Sequence, residues 1–236
     1  MDVSMYLNVL GRNGPYPEAG KACSSYLLES DSGNTRLLID LGPGALSRLV
    51  SLCAPAELNG IILSHLHFDH MSDALVMKYY PDTKGIKLVC PQSPSNVLQL
   101  LSDHYDVYEP GDMKIGEMRL SFEKVKHPIE TYALRVECDG SVFVYTGDSN
   151  ECAQLSLFCD KADLLLADSG FTEEDWAAGK PHMSAARCAG LAKEALANQL
   201  VLTHINPKYD PEDLLNEALR IFPNTCLAEE GLRMRV

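Results

Sequence analysis

The sequence has no run approaching the roughly 20 apolar residues that a membrane span needs, so no membrane partner is expected. Its first residues, Met1-Asp2-Val3-Ser4, carry neither the basic n-region nor the apolar h-region of a secretory signal. The eight cysteines are scattered, with no Cys-x-x-Cys pair and no cysteine–histidine knuckle. They are expected to be reduced, mostly buried thiols in a chain of cytoplasmic location. Positive charge is also short: 20 Lys and Arg face 33 Asp and Glu, for a net charge of −13. That balance opposes loose, whole-surface binding to nucleic acid or anionic lipid. A small anionic substrate stays compatible, because a single site can carry a local field opposite to the surface average. No linker, low-complexity tract or short repeat divides the 236 residues, and the length suits a single domain over 1–236.

Histidine is scarce too, with seven in the chain, yet three fall in one stretch, Ser64-His65-Leu66-His67-Phe68-Asp69-His70-Met71. An apolar run, Gly60-Ile61-Ile62-Leu63, precedes it and reads as a buried strand. Ser72 to about Tyr80 reads as a helix, which puts the cluster on a strand-to-helix loop. If the extended period of two continues past Leu63, His65 and His67 point to one side. Asp69 and His70 then swing round as the chain turns towards the helix, and one loop can serve two adjacent metals.

Elsewhere, strands are expected at Met5 to Leu10, Cys23 to Leu28 and Thr35 to Ile39. Others are expected at Lys87 to Cys90, Met118 to Phe122, Tyr132 to Val136, Ser141 to Tyr145, Leu164 to Ala167 and Gln199 to Leu202. Helical spacing marks Ala45 to Cys53, Ser93 to Ser102, Ser184 to Ala197 and Pro211 to Ile221. The strands come in two blocks, each followed by strand–helix alternation. Two sheets covered by helices on both outer faces, a four-layer αββα sandwich of the α/β class, fit this order.

His127, His182 and His204 each stand just past an apolar strand or before a helix, and Asp148 is similarly placed. His104 lacks such a setting and reads as a surface residue. A hydrolytic zinc site needs neutral imidazoles, carboxylates and an open position for water. Two metals about 3.5–4 Å apart can share one hydroxide and hold the substrate oxygens. His65, His67 and His127 would make one metal site. Asp69, His70 and His204 would make the other, with Asp148 as the bridge.

His-x-His-x-Asp-His at 65–70, His127, Gly147-Asp148 and Thr203-His204 together resemble the metallo-β-lactamase superfamily, over about Leu7 to Tyr209. The resemblance implies the αββα sandwich. Secreted β-lactamases of this fold usually have a cysteine ligand and no bridging aspartate, whereas this chain has Asp148. Flavodiiron proteins place a glutamate where this chain has His67, and the basic C-terminal segment of glyoxalase II is not found. The ribonuclease Z-like branch is closer, in Pro181-His182-Met183-Ser184-Ala185 and Leu200-Val201-Leu202-Thr203-His204. That likeness implies His182 as a phosphate contact and general acid, with Asp168 orienting it where ribonuclease Z has a glutamate. It also implies Ser184, Lys208 and Tyr209 as substrate-binding, and homodimers of the kind common in the branch. Asp40, in the Asp-x-Gly turn, is expected to buttress the metal loop by hydrogen bonds.

The Gly- and Pro-rich basic arm by which ribonuclease Z grips transfer RNA has no counterpart. The Gly11-to-Gly20 loop with Cys23-Ser24-Ser25-Tyr26 resembles smaller bacterial members, some of them cyclic-nucleotide phosphodiesterases. The expected function is therefore a metal-dependent phosphodiesterase acting on a small phosphodiester, a cyclic nucleotide first. It would use two divalent ions, Zn2+ first and Mn2+ second, with a metal-bridging hydroxide that Asp69 helps to position. The alternatives are an endoribonuclease on RNA ends, a thioester or lactone hydrolase, and a non-enzymatic metal sensor.

Overall fold

A computed structural model describes residues 5–236; Met1 to Ser4, read above against a secretory signal, lie outside the described residues. Strands β1 (Met5–Gly11), β2 (Ser25–Ser30) and β3 (Arg36–Leu41) form an antiparallel meander. Helices and strands then alternate as α1 (Leu46–Leu52), β4 (Gly60–Ile62), α2 (Phe68–Met77), β5 (Lys87–Val89), α3 (Ser95–Ser102) and β6 (Asp106–Tyr108). Strands β3 to β6 pair in parallel, as helical crossovers require.

The second half repeats the scheme. Strands β7 (Met113–Ile115), β8 (Met118–Lys124), β9 (Tyr132–Cys138) and β10 (Ser141–Tyr145) are antiparallel. A parallel block follows, made of α4 (Ala153–Phe158), β11 (Leu164–Asp168), α5 (Ala185–Glu194), β12 (Gln199–Thr203), α6 (Pro211–Leu219) and β13 (Thr225–Leu227). Strand β14 (Arg233–Arg235) returns to pair with β1. The two sheets run β14-β1-β2-β3-β4-β5-β6 and β13-β12-β11-β10-β9-β8-β7.

Alternation along the strands sorts side chains into three apolar layers. Leu37 and Ile39 of β3, Leu164 and Leu166 of β11 and Val201 of β12 enter the layer between the sheets. Leu38 instead meets the helical layer made by α1, α2 and α3. Leu165, Leu200 and Leu202 meet the layer made by α4, α5 and α6. The architecture is thus the expected αββα sandwich. Leu166 is fully buried in the middle layer. Leu166→Ala is expected to lower unfolding stability by about 2–5 kcal/mol, because the cavity relaxes only in part. Urea denaturation followed by far-ultraviolet circular dichroism measures this.

Several elements differ from the sequence expectation. Helix α2 begins at Phe68 rather than Ser72, so Asp69 and His70 belong to its first turn. Ser72 lies inside it and donates its hydroxyl back to the Phe68 carbonyl at 2.6 Å. Strands β6, β7, β13 and β14 were not expected, and at three residues each they are too short to show a period. Helix α4 was also not expected. His104 is not a surface residue: it is half-buried, with Nε2 3.0 Å from the Thr83 hydroxyl. The eight cysteines are free, six of them buried. Among the described residues no helix is long and apolar enough to cross a membrane.

Candidate metal centre

The polar cluster lies where strands of both sheets end. Strand β4 leads through His65 and His67 into the first turn of α2, β10 leads into Asp148, β11 ends on Asp168, and β12 leads into His204. Sheet geometry therefore gathers residues that are up to 139 positions apart in sequence, from His65 to His204. His204 has φ of 53°, a left-handed conformation that costs a non-glycine residue about 1–3 kcal/mol. It is held by the bridge between Ile205 and Asn13 and by the Gly14 amide donating to the Ile205 carbonyl at 3.1 Å. A Cβ on Gly14 would fall 1.9 Å from His204 Nε2, so only glycine lets this loop lie against the ring.

Two groups of ligand atoms share Asp148. In the first, His65, His67, His127 and Asp148 bring their atoms within 4.8 Å of one another. His67 Nδ1 lies 2.9 Å from His65 Nε2 and 3.2 Å from His127 Nε2. In the second, Asp69, His70 and His204 gather with Asp148 within the same limit. His204 Nε2 lies 3.3 Å from both Asp69 Oδ2 and Asp148 Oδ2, and His70 Nε2 lies 3.3 Å from Asp148 Oδ1.

The donor chemistry suits divalent cations. Burial, the largest influence, pushes the His65, His67 and His127 rings below their ordinary pKa, which leaves them neutral and able to ligate. His70 goes the other way. Burial opposes its charge, but the Asp148 and Asp40 carboxylates raise it well above the ordinary value. Burial likewise opposes ionisation of Asp148, yet His204 and His70 hold it well below the usual carboxylate range. His70 Nε2, Asp148 Oδ1 and His204 Nδ1 are buried without a hydrogen-bond partner among the described residues. Buried polar atoms left unpaired are costly. A cation beside His70 Nε2 and Asp148 Oδ1 would satisfy those two atoms at once.

Asp40 ties this cluster to the scaffold. Its Oδ1 accepts the Ser64 amide at 2.7 Å, and its Oδ2 accepts the Ser64 hydroxyl at 2.9 Å and the Tyr145 hydroxyl at 3.0 Å. The same Oδ2 lies 2.8 Å from His70 Nδ1, which presents Nε2 to the second group. A Cβ on Gly42 would sit 2.0 Å from the Asp69 carbonyl, so the Asp-x-Gly turn lets α2 approach. Asp40→Ala is expected to weaken metal affinity by about 10- to 100-fold, the usual effect of losing such a support. Competition against a chelating dye measures it.

A third group joins Asp148, Asp168, His182 and His204. His182 Nδ1 lies 2.7 Å from Asp168 Oδ2, and its ring stacks on His204 with centroids 4.7 Å apart. Burial disfavours the charged ring, but the Asp168 carboxylate outweighs it and raises the pKa to about 9. The Ser149 and Gly170 amides also donate to Asp168, so that fully buried carboxylate is fixed in place.

The three residues expected to bind substrate are each hydrogen-bonded to an acidic side chain of the 170–181 stretch. Ser184 caps α5 by accepting the Arg187 amide and donates its hydroxyl to Glu173. Lys208 and Tyr209 both bind Asp175, Lys208 Nζ at 2.8 Å and the Tyr209 hydroxyl at 2.6 Å from Oδ2. The likeness to Arg-Tyr gave their position but not Asp175, which lies 33 residues away from Lys208. Sequence reading also passed over Asn150. Its Nδ2 donates to the Ala177 and Lys180 carbonyls, and its Oδ1 accepts the Trp176 indole N–H, which pins the segment before His182. Asn150 directly follows the Asp148-Ser149 pair, and that adjacency was its only signal.

The chain belongs to the beta-lactamase superfamily domain family, whose model matches residues 35–205. With the His/Asp cluster, it is a metal-dependent hydrolase of the metallo-β-lactamase fold. The chain is 29% identical over 232 residues to the probable metallo-hydrolase YhfI of Bacillus subtilis (strain 168), covering 92% of this chain and 94% of that one. The crystal structure of YhfI superposes with a TM-score of 0.93 over 99% of this chain and 100% of the other, at 27% identity. Ribonuclease Z of Methanopyrus kandleri is 25% identical over 281 residues, covering 100% of this chain and 99% of its own. Human tRNase Z, short form, shares the fold with a TM-score of 0.79 over 97% of this chain and 98% of its own, at 19% identity.

Proposed function

We propose that this protein is a phosphodiesterase acting on a small phosphodiester, a cyclic nucleotide first. The observation that carries the reading is His182, held by buried Asp168 at 2.7 Å and stacked on His204 at the margin of the ligand cluster. A thioester hydrolase has less use for such a group, because a thiolate departs without a proton, whereas a departing alkoxide needs one. In this reading His65, His67 and His127 hold one divalent ion, and Asp69, His70 and His204 hold a second. Asp148 is shared, and zinc is the first choice over manganese. When bound, such ions supply an activated water and neutralise charge on the non-bridging phosphate oxygens.

The chain's own residues do the rest. Asp168 takes up Nδ1 of His182 and so leaves Nε2–H as the donor to the leaving oxygen. The same imidazolium offsets negative charge that grows on the phosphoryl group. Asp69, in the first turn of α2, orients the attacking water. Likeness to ribonuclease Z supports a second reading, cleavage at RNA ends, although the net charge of −13 opposes a wide RNA footprint.

The test is turnover of bis-p-nitrophenyl phosphate, cyclic nucleotides, precursor transfer RNA, a thioester and a lactone, with zinc and with manganese. The account expects the small phosphodiesters to be hydrolysed. Cleavage of precursor transfer RNA with steep salt dependence would favour the second reading, and hydrolysis of the thioester or lactone alone would overturn both.

A further inference from the structure

Basic side chains are few here, and three of the eleven lysines meet at one turn beside the site. Lys126, next to His127, donates Nζ to the Ala178 carbonyl at 2.8 Å. Lys180, two residues before His182, donates to the Asp175 carbonyl. Lys208, four residues after His204, pairs with Asp175 Oδ2 at 2.8 Å. The turn is pinned over the cluster by Asn150 and by Pro181, whose carbonyl lies 3.2 Å from His127 Nδ1. Three segments that deliver site histidines thus each bring one ammonium to the same margin.

The same turn carries Glu173, Glu174 and Asp175, of which Glu173 is paired with Arg187 and Asp175 with Lys208. Two of the three contacts go to neutral carbonyls, and Asp175 is the only carboxylate paired to these lysines among the described residues. Lys126 and Lys208 are exposed, and Lys180 is half-buried. Each ammonium carries three N–H donors, so donors remain for an incoming anion. A compact cation on a flexible stem suits a phosphate as a point charge.

We propose that this lysine rim is a subsite for a second phosphate. The small phosphodiester therefore carries another phosphate beside the one that is cleaved, as a dinucleotide or nucleoside bisphosphate does. The inference rests on the reading above for where the cleaved phosphate sits. Within the cyclic nucleotides of that reading the rim favours a cyclic dinucleotide, because a cyclic mononucleotide, with one phosphate, leaves it without a partner.

Titration calorimetry of the zinc-loaded protein with adenosine 3′,5′-bisphosphate and adenosine 5′-monophosphate tests it. At about 50 mM salt, where screening is weak, the bisphosphate is expected to bind about ten-fold tighter or better. That advantage should fall below about three-fold in the double variant Lys126→Ala, Lys180→Ala and at about 500 mM salt. The charge-keeping double variant Lys126→Arg, Lys180→Arg should retain it, which separates lost charge from a disturbed turn. Equal affinities in the native chain overturn the proposal, as does an advantage that survives the alanine replacements or is lost equally in the arginine ones. Binding needs no turnover, so a lysine-dependent advantage in a protein that hydrolyses no phosphodiester would keep the subsite and remove the phosphodiesterase reading.

Discussion

Asp148→Ala is expected to empty both metal positions together and to abolish turnover. The carboxylate is buried between the two groups, with Oδ2 3.5 Å from His65 Nε2 and 3.3 Å from His204 Nε2, and Oδ1 3.3 Å from His70 Nε2. Removing it would take from both groups the one carboxylate they share. It also leaves the buried His70 ring with two carboxylate neighbours instead of three, Asp40 at 2.8 Å from Nδ1 and Asp69 at 3.6 Å from Nε2. Metal content after gel filtration, measured by plasma mass spectrometry, is the readout. Asp148→Asn, which keeps the shape but not the charge, separates loss of metal from loss of fold. A folded alanine variant with full metal content would contradict the bridging role.

His182→Ala is expected to keep metal and fold but lose about 10²-fold or more in turnover, the usual scale for a general acid. The ring is partly exposed and its strong partner is Asp168, so its removal takes a stacking neighbour from His204 but no member of the two ligand groups. Asp168→Asn should cost less than His182→Ala, because the imidazole remains while its orientation and charge weaken. Unchanged turnover of a diester with an alkoxide leaving group, such as a cyclic nucleotide, in His182→Ala would remove the acid role. A large effect confined to diesters with poor leaving groups would strengthen it, since p-nitrophenolate needs little help to depart.

Much of this site could be read from the sequence because metal chemistry is written in side-chain identity. Histidines beyond strand ends are rare and specific, so His127, His204 and Asp148 could be named before any fold was known. The helical state of Asp69 and His70 could not, because residues chosen as ligands carry no amphipathic period. The partners of Ser184, Lys208 and Tyr209 were equally hidden. Glu173 and Asp175 lie in the polar 170–181 stretch, which has no period and folds back by the hydrogen bonds of Asn150. The two-sheet architecture followed from the order of strand blocks, whereas three-residue strands such as β6 and β13 are set by pairing with neighbours that only the fold brings near.

The central claim is that one shared carboxylate and two sets of side chains hold a pair of divalent ions. A crystal structure of the zinc-loaded protein, with anomalous data at the zinc edge, tests it most directly. The account predicts two peaks flanking Asp148, one among His65, His67 and His127 and the other among Asp69, His70 and His204. A single peak, or zinc bound away from Asp148, would contradict it.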